Sequence, residues 1–203
     1  MGMASKIALG CGGVVVLILV VLGLAGVGSY NSLNSLNQAV EAQWGQVENV
    51  YQRRADLVPN LVETVKGAAA FEKETFMAVT EARAKVGQVS AGKAPSDAAS
   101  LARFQQAQEG LGSALSRLLV VVEKYPDLKA TQNFRDLQAQ LEGTENRIAV
   151  ERMRFNQAAQ AFNTKRNSFP TLIVAGFLGD RFRDKAYFKA QAGAETAPKV
   201  SFQ

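Results

Sequence analysis

The stretch LEGTENRIAVERMRFNQAAQAFNTKRNSF, residues 141–169, decides the fold. Leu141, Ile148, Phe155, Phe162 and Phe169 recur at seven-residue spacing, and Leu137 carries the row backward. An apolar residue every seventh position lays one stripe along one helix face, the pattern of helices packed against each other. A helix is therefore expected from Thr131 to Phe169.

Working backward, a second row of threes and fours runs through Leu101, Phe104, Gln108, Leu111, Leu115, Leu118, Val122 and Tyr125, and Pro126 closes it. Ser96 or Asp97 is suited to cap that helix. Residues 87–95 are rich in Gly, Ser, Ala and Pro and read as a loop. A shorter helix is expected over 71–86, preceded by a turn at Gly67. Before it, Leu33, Leu36, Val40, Val47, Val50, Leu57, Leu61 and Val65 form a further seam, which Trp44 and Tyr51 widen. Pro59 falls inside this seam, where it removes a helical hydrogen bond, so a kink or short break is expected there. No alternating, strand-like pattern competes over residues 30–168. The chain reads as all-α: an up-and-down, coiled-coil-like four-helix bundle behind one N-terminal transmembrane helix.

That transmembrane helix is residues 7–27, an uncharged run of Val, Leu, Ile, Ala and Gly broken only by Cys11. As a helix it reaches about 30 Å, the thickness of a hydrocarbon core. It is too long for the apolar part of a cleaved signal peptide. Cys11 precedes most of the run, so it does not mark a lipoprotein. Lys6 stands in the position where myristoylation needs Ser or Thr. Lys6 and the amine precede the span, and no Lys or Arg follows it until Arg53. The positive-inside rule then expects residues 1–6 in the cytoplasm and residues 28–191 as an extracytoplasmic domain. For a bacterium this is the inner membrane, with the domain in the periplasm.

The chain has 203 residues, a formal charge of +5, no His and one Cys. Missing His removes Ser-His and Cys-His pairs and most zinc sites, and a lone Cys removes internal disulfides. Its Lys and Arg are interleaved with Glu and Asp, not gathered into a basic run with aromatics, so no nucleic-acid partner is expected. Nothing resembles a nucleophile elbow or a phosphate loop. No catalytic residue, cofactor or metal is expected.

In an up-down-up-down bundle the fourth helix points back to the membrane, so residues 169–189 arrive there. They are apolar through Gly179 and then carry Arg181, Arg183, Lys185 and Lys189. The simpler reading is that Leu172, Ile173, Phe177 and Leu178 plug the open end of the bundle. The other is that Phe177, Arg181, Arg183 and Lys185 meet the membrane interface. Residues 192–203 lose the heptad pattern and form a tail, disordered or docked as an extended piece.

Several stretches together resemble the LemA family of bacterial membrane proteins. Tyr30-Asn31-Ser32-Leu33 follows the span; Arg53 to Gly67 reads RRADLVPNLVETVKG; YPDL stands at 125–128 and LEGTEN at 141–146. Arg152, Phe155-Asn156, Phe162-Asn163 and Phe169-Pro170 follow in order. The resemblance covers residues 5–188 and departs at Phe71, where family members commonly have His. It implies a short cytoplasmic N-terminus, one span and an extracytoplasmic helical bundle, and no known reaction. Association of some members with membrane metalloproteases or envelope stress makes an adaptor role the alternative.

The stretches that carry the resemblance are unusually polar: Arg53, Arg54, Asp56, Pro59, Asn60, Glu63, Glu142, Glu145, Asn146, Arg152, Asn156 and Asn163. Arg54, Glu145 and Arg152 fall in the apolar seams, and a buried charge costs several kcal/mol unless paired. Arg54 is expected to pair with Glu145 or Glu142. The simpler role is a polar layer that sets helix register; the other is a groove for a peptide, lipid head or partner helix. The expected function is an anchored interaction or scaffold protein on a lipid bilayer. Homo-oligomerisation is also expected, helped by small residues in the span. Another membrane protein, such as a protease, is the alternative partner.

Overall fold

The computed structural model describes residues 3–67, 73–89, 94–95 and 97–189, with side chains described from Gly12 onward. Phe71, Ser96 and the tail over 192–203 lie outside the described residues. Helix α1, Met3–Lys66, is followed by α2, Lys73–Val89, and α3, Ala98–Val122. A short α4, Pro126–Lys129, leads to α5, Gln132–Arg166, and α6, Thr171–Leu178. A 3-10 turn, Gly179–Phe182, closes the series, and there is no strand among the described residues.

Local sequence accounts for the starts and stops. Asp97 caps α3, accepting from Ser100 N at 2.7 Å, while Ser100 Oγ accepts from Asp97 N: a reciprocal capping box. Thr131 Oγ1 caps α5 by accepting from Phe134 N. Pro126 stops α3 and starts α4 at a position that needs no N–H. Gly179 ends α6 at φ 52, a conformation that side chains with a Cβ avoid.

Two expectations change. The helix runs without a break through Pro59, so the short break is absent. Proline leaves the carbonyl four residues earlier without its helical donor. That carbonyl is Ala55 O, and Arg83 Nε of α2 donates to it at 3.0 Å. The defect is repaired from a neighbouring helix. At the other end, α5 stops at Arg166, and Phe169 is 81% exposed instead of continuing the seam. Leu141, Ile148, Phe155 and Phe162 are buried as the heptad requires.

Helix α1 changes surroundings along its length. From Val14 to Leu24 its large side chains are 49–70% exposed, and this part alone among the described helices is long and apolar enough to cross a membrane. Burial begins at Ser29, directly after that run. Beyond it, α5 packs along α1 in the opposite direction, and α2 packs on α3. The core falls into two parts. The part far from the span is mainly aliphatic: Leu57, Leu61 and Val65 of α1, Val79 and Val86 of α2, Leu111, Leu118 and Val122 of α3, and Leu141 of α5, joined by Phe134. The near part is aromatic and joins Trp44, Tyr51, Phe104, Phe155 and Phe162 to Phe182 and Phe188.

Candidate functional site

Helices α3 and α5 both flank α1 and leave a cleft of about 860 Å³ between them. Its floor is Arg54, 4% exposed. The Arg54 guanidinium bridges the walls: Nη1 donates to Glu145 Oε1 on α5 at 2.7 Å. On the other side Nη2 donates to Gln108 Oε1 and Gln108 O on α3, at 2.7 and 2.9 Å. Glu145, not Glu142, is its carboxylate partner. The guanidinium also lies 5.1 Å from the Tyr51 ring centre. Burial pushes the Tyr51 phenol above its ordinary range, and the Arg152 and Arg54 charges pull it part of the way back. Two buried donors, Arg54 Nε and Gln108 Nε2, find no acceptor among the described residues. Glu109, Glu142 and Asn146 are exposed on the cleft walls.

Where the cleft ends toward the membrane, a second groove begins, and the chain itself fills it. Asn163 holds both backbone groups of Lys185: Oδ1 accepts from N at 2.8 Å and Nδ2 donates to O at 2.9 Å. Asn156 does the same to Phe188, at 2.8 and 3.0 Å. The spacings match. Seven residues of helix advance about 10.5 Å, and three residues of extended chain cover about 10 Å. The segment therefore lies extended and antiparallel along α5. Arg166 Nε donates to Phe182 O at 2.6 Å at one end, and Arg152 Nη2 to Lys189 O at 2.7 Å at the other. Phe182, at the end of the 3-10 turn, and Ala186 and Phe188 of the extended segment pack into the aromatic part of the core. Phe188 stacks on Trp44 at 6.1 Å, and Phe182 meets Tyr30 edge-on at 5.8 Å.

The remaining sequence-selected residues scatter. Arg53, Asp56, Pro59, Asn60 and Glu63 are exposed. Asp56 accepts from Gln52 Nε2, and Glu63 pairs with Lys66 at 3.7 Å. Phe177 is 88% exposed, Arg181 lies over the Tyr30 ring, and Arg183 pairs with Asp180. The Lys185 ammonium sits over the Phe162 ring, 5.1 Å from its centre. Burial holds this amine below its usual range, against a partial pull upward from Glu41.

Arg83, Gln108, Arg166 and the extended segment over residues 182–189, here called the strap, escaped sequence reading. Gln108 stood in an apolar seam as a visible anomaly. The strap left a fainter signal: two Asn one heptad apart, each beside a seam Phe. Among the described residues no group of three or more acidic, Cys or His side chains is arranged to hold a metal.

Residues 43–202 match the model of the LemA family. The chain is 27% identical over 175 residues to magnetosome protein MamQ 2 of Paramagnetospirillum magneticum, covering 77% of this chain and 63% of that protein. It is 27% identical over 173 residues to magnetosome protein MamQ of Magnetospirillum gryphiswaldense, with the same coverage. It is 25% identical over 129 residues to protein LemA of Metamycoplasma hominis, covering 64% of this chain and 55% of that protein. The chain thus spans less than two thirds of the length of these relatives.

Proposed function

Because the chain belongs to the LemA family, we propose that it is a membrane-anchored interaction protein, not an enzyme, whose α3–α5 cleft holds an extended polypeptide segment of a partner. One observation carries this reading: the cleft opens where the strap groove ends. Gln105 Nε2 of α3 and Arg152 Nη2 of α5 both donate to Lys189 O, and both also line the cleft. The same two helices thus already bind an extended backbone through side-chain amide and guanidinium donors. The two spare buried donors at Arg54 and Gln108 support it as well. A layer that only set helix register would gain by satisfying all its polar groups.

The absence of His, and a single Cys in the apolar run, support a role without nucleophilic catalysis. Lys6 before the span, and the lack of Lys and Arg between it and Arg53, support a cytoplasmic N-terminus and a domain outside the inner membrane.

Photocrosslinkers in place of Ser116 and Glu142, on the two cleft walls, test the reading in intact cells. Adducts with a second polypeptide are expected from both sites and not from Met153 on the exposed face of α5. An Arg54→Met variant that still folds should lose them. Wall adducts no more frequent than those from Met153 would reject the cleft. A membrane protease as the captured chain would turn the reading into an adaptor.

Self-association is a second reading. Gly12, Gly13, Gly23 and Gly26 face open space in the span and would let a second span approach closely. Native mass measurement in mild detergent checks it, and a strict monomer would reject it.

A further inference from the structure

Helix α6 is built inside out for a water-soluble surface. Its two buried residues are the small Thr171 and Ala175, one helical turn apart. Its large apolar side chains face away from the bundle: Leu172 is 50% exposed, Ile173 53% and Phe177 88%. Phe169, just before the helix, is 81% exposed. A helix that only plugged the bundle would turn the large side chains in and the small ones out. A contiguous apolar face of this kind marks a surface that meets something other than water.

Its position says what covers it. Helix α6 packs against α1. It is the bend between the descending α5 and the strap, whose first buried residue, Phe182, touches Tyr30 of α1. Tyr30 stands three residues beyond Val27, the last large exposed residue of the apolar run, a rise of about 4.5 Å. Burial starts at Ser29, so no stalk separates bundle from span. A face at that height falls in the boundary layer, about 5–10 Å deep, where interfacial helices lie. Arg181, its guanidinium 5.5 Å from the Tyr30 ring centre, and the exposed Arg183 follow at the depth of lipid headgroups.

We propose that α6 is a second, monotopic membrane contact: its Leu172–Ile173–Phe177 face inserts into the lipid interface beside the α1 span and fixes the tilt of the bundle on the bilayer. This does not depend on what the α3–α5 cleft binds. Small inward residues let α6 lie close to α1, and large outward ones supply the buried apolar area.

The test uses the full chain in vesicles of phosphatidylcholine and phosphatidylglycerol. An environment-sensitive label is placed by Phe177→Cys in a Cys11→Ser background, and by Gln140→Cys on the far part of α5 as control. Nitroxide lipids labelled near the headgroup end of the acyl chain should quench the label at 177 and leave that at 140 bright. Aqueous iodide should quench at 177 several-fold less than at 140. Adding Leu172→Asp and Ile173→Asp, both on exposed side chains, should return the 177 label to iodide while the far-UV helical signal is kept. Equal iodide quenching at both sites would overturn the proposal. So would shielding at 177 without quenching by lipid, since another protein surface would then cover the face. Lipid quenching that persists in the double Asp variant would overturn the apolar face as the cause.

Discussion

The two halves of the bundle are held by different means. Far from the span, the core is mostly Leu and Val on helices α1 to α5, with Phe134 as a buried ring. Near the span, α2 contributes only its last residue, Val89, and α3 only Leu101 and Phe104, and the strap lies against α1 and α5. That half is cemented by rings and by side chains bonded to backbone: Trp44 against Phe104, Phe155 and Phe188, and Asn156 and Asn163 against the strap. A bundle can thus be completed by a non-helical segment if its backbone groups find partners. In a helix they are satisfied internally; in a strap other side chains must supply the bonds.

The largest expected effect is a core truncation on each side. Leu118→Ala, in the far half, should cost about 2–5 kcal/mol, and Phe162→Ala, in the near half, about 3–5 kcal/mol. Both side chains are fully buried. Chemical denaturation of the full chain in detergent measures both. If the halves unfold as one unit, each variant lowers a single transition; two separated transitions would show independent halves.

A smaller effect separates them more sharply. Asn163→Ala removes two bonds to Lys185, and Asn156→Ala two to Phe188. At about 0.5–1.5 kcal/mol for each bond, either variant loosens the strap by roughly 1–3 kcal/mol. Hydrogen exchange should quicken over residues 182–189 and stay unchanged in α3 around Leu118. Equal quickening in both would mean that the Asn pair supports the bundle as a whole.

The smallest is a pH effect confined to the near half. Burial lowers the Lys185 amine, so in the alkaline range between its folded value and that of an ordinary lysine the unfolded chain binds more protons. Stability from this group therefore rises with pH across that window, and its charged form costs stability below it. Tyr51 acts oppositely: its raised phenol makes stability fall as pH climbs above the ordinary tyrosine value. Lys185→Met should remove only the rising part. Comparing variant and parent across alkaline pH isolates it, since Tyr51 is common to both; identical curves would refute the assignment.

Legibility in the sequence followed the same divide. The seams of α1, α3 and α5 were readable because helical packing repeats locally: Val47, Leu61, Leu111, Leu118, Ile148 and Phe162 are all buried. The Arg54 charge stood out for its cost in such a seam. Pro59 suggested a break that the helix does not make, because the carbonyl it frees is bonded by Arg83, on another helix. Phe169 misled because its spacing continued a heptad that the chain had already left at Arg166.

By itself, the sequence determined an all-α chain, the apolar helix and the main seams, because periodicity and length are properties of neighbouring residues. It also marked Arg54, Asn156 and Asn163 as polar residues needing an explanation. Only the tertiary structure decided what they meet: Gln108 and Glu145 for Arg54, and the backbone of the strap for the two Asn. It alone decided that α6 turns its small residues inward. The physical reason is common to these cases. Backbone recognition leaves no pattern in the segment recognised, and the inward face of a short helix is chosen by what it packs against.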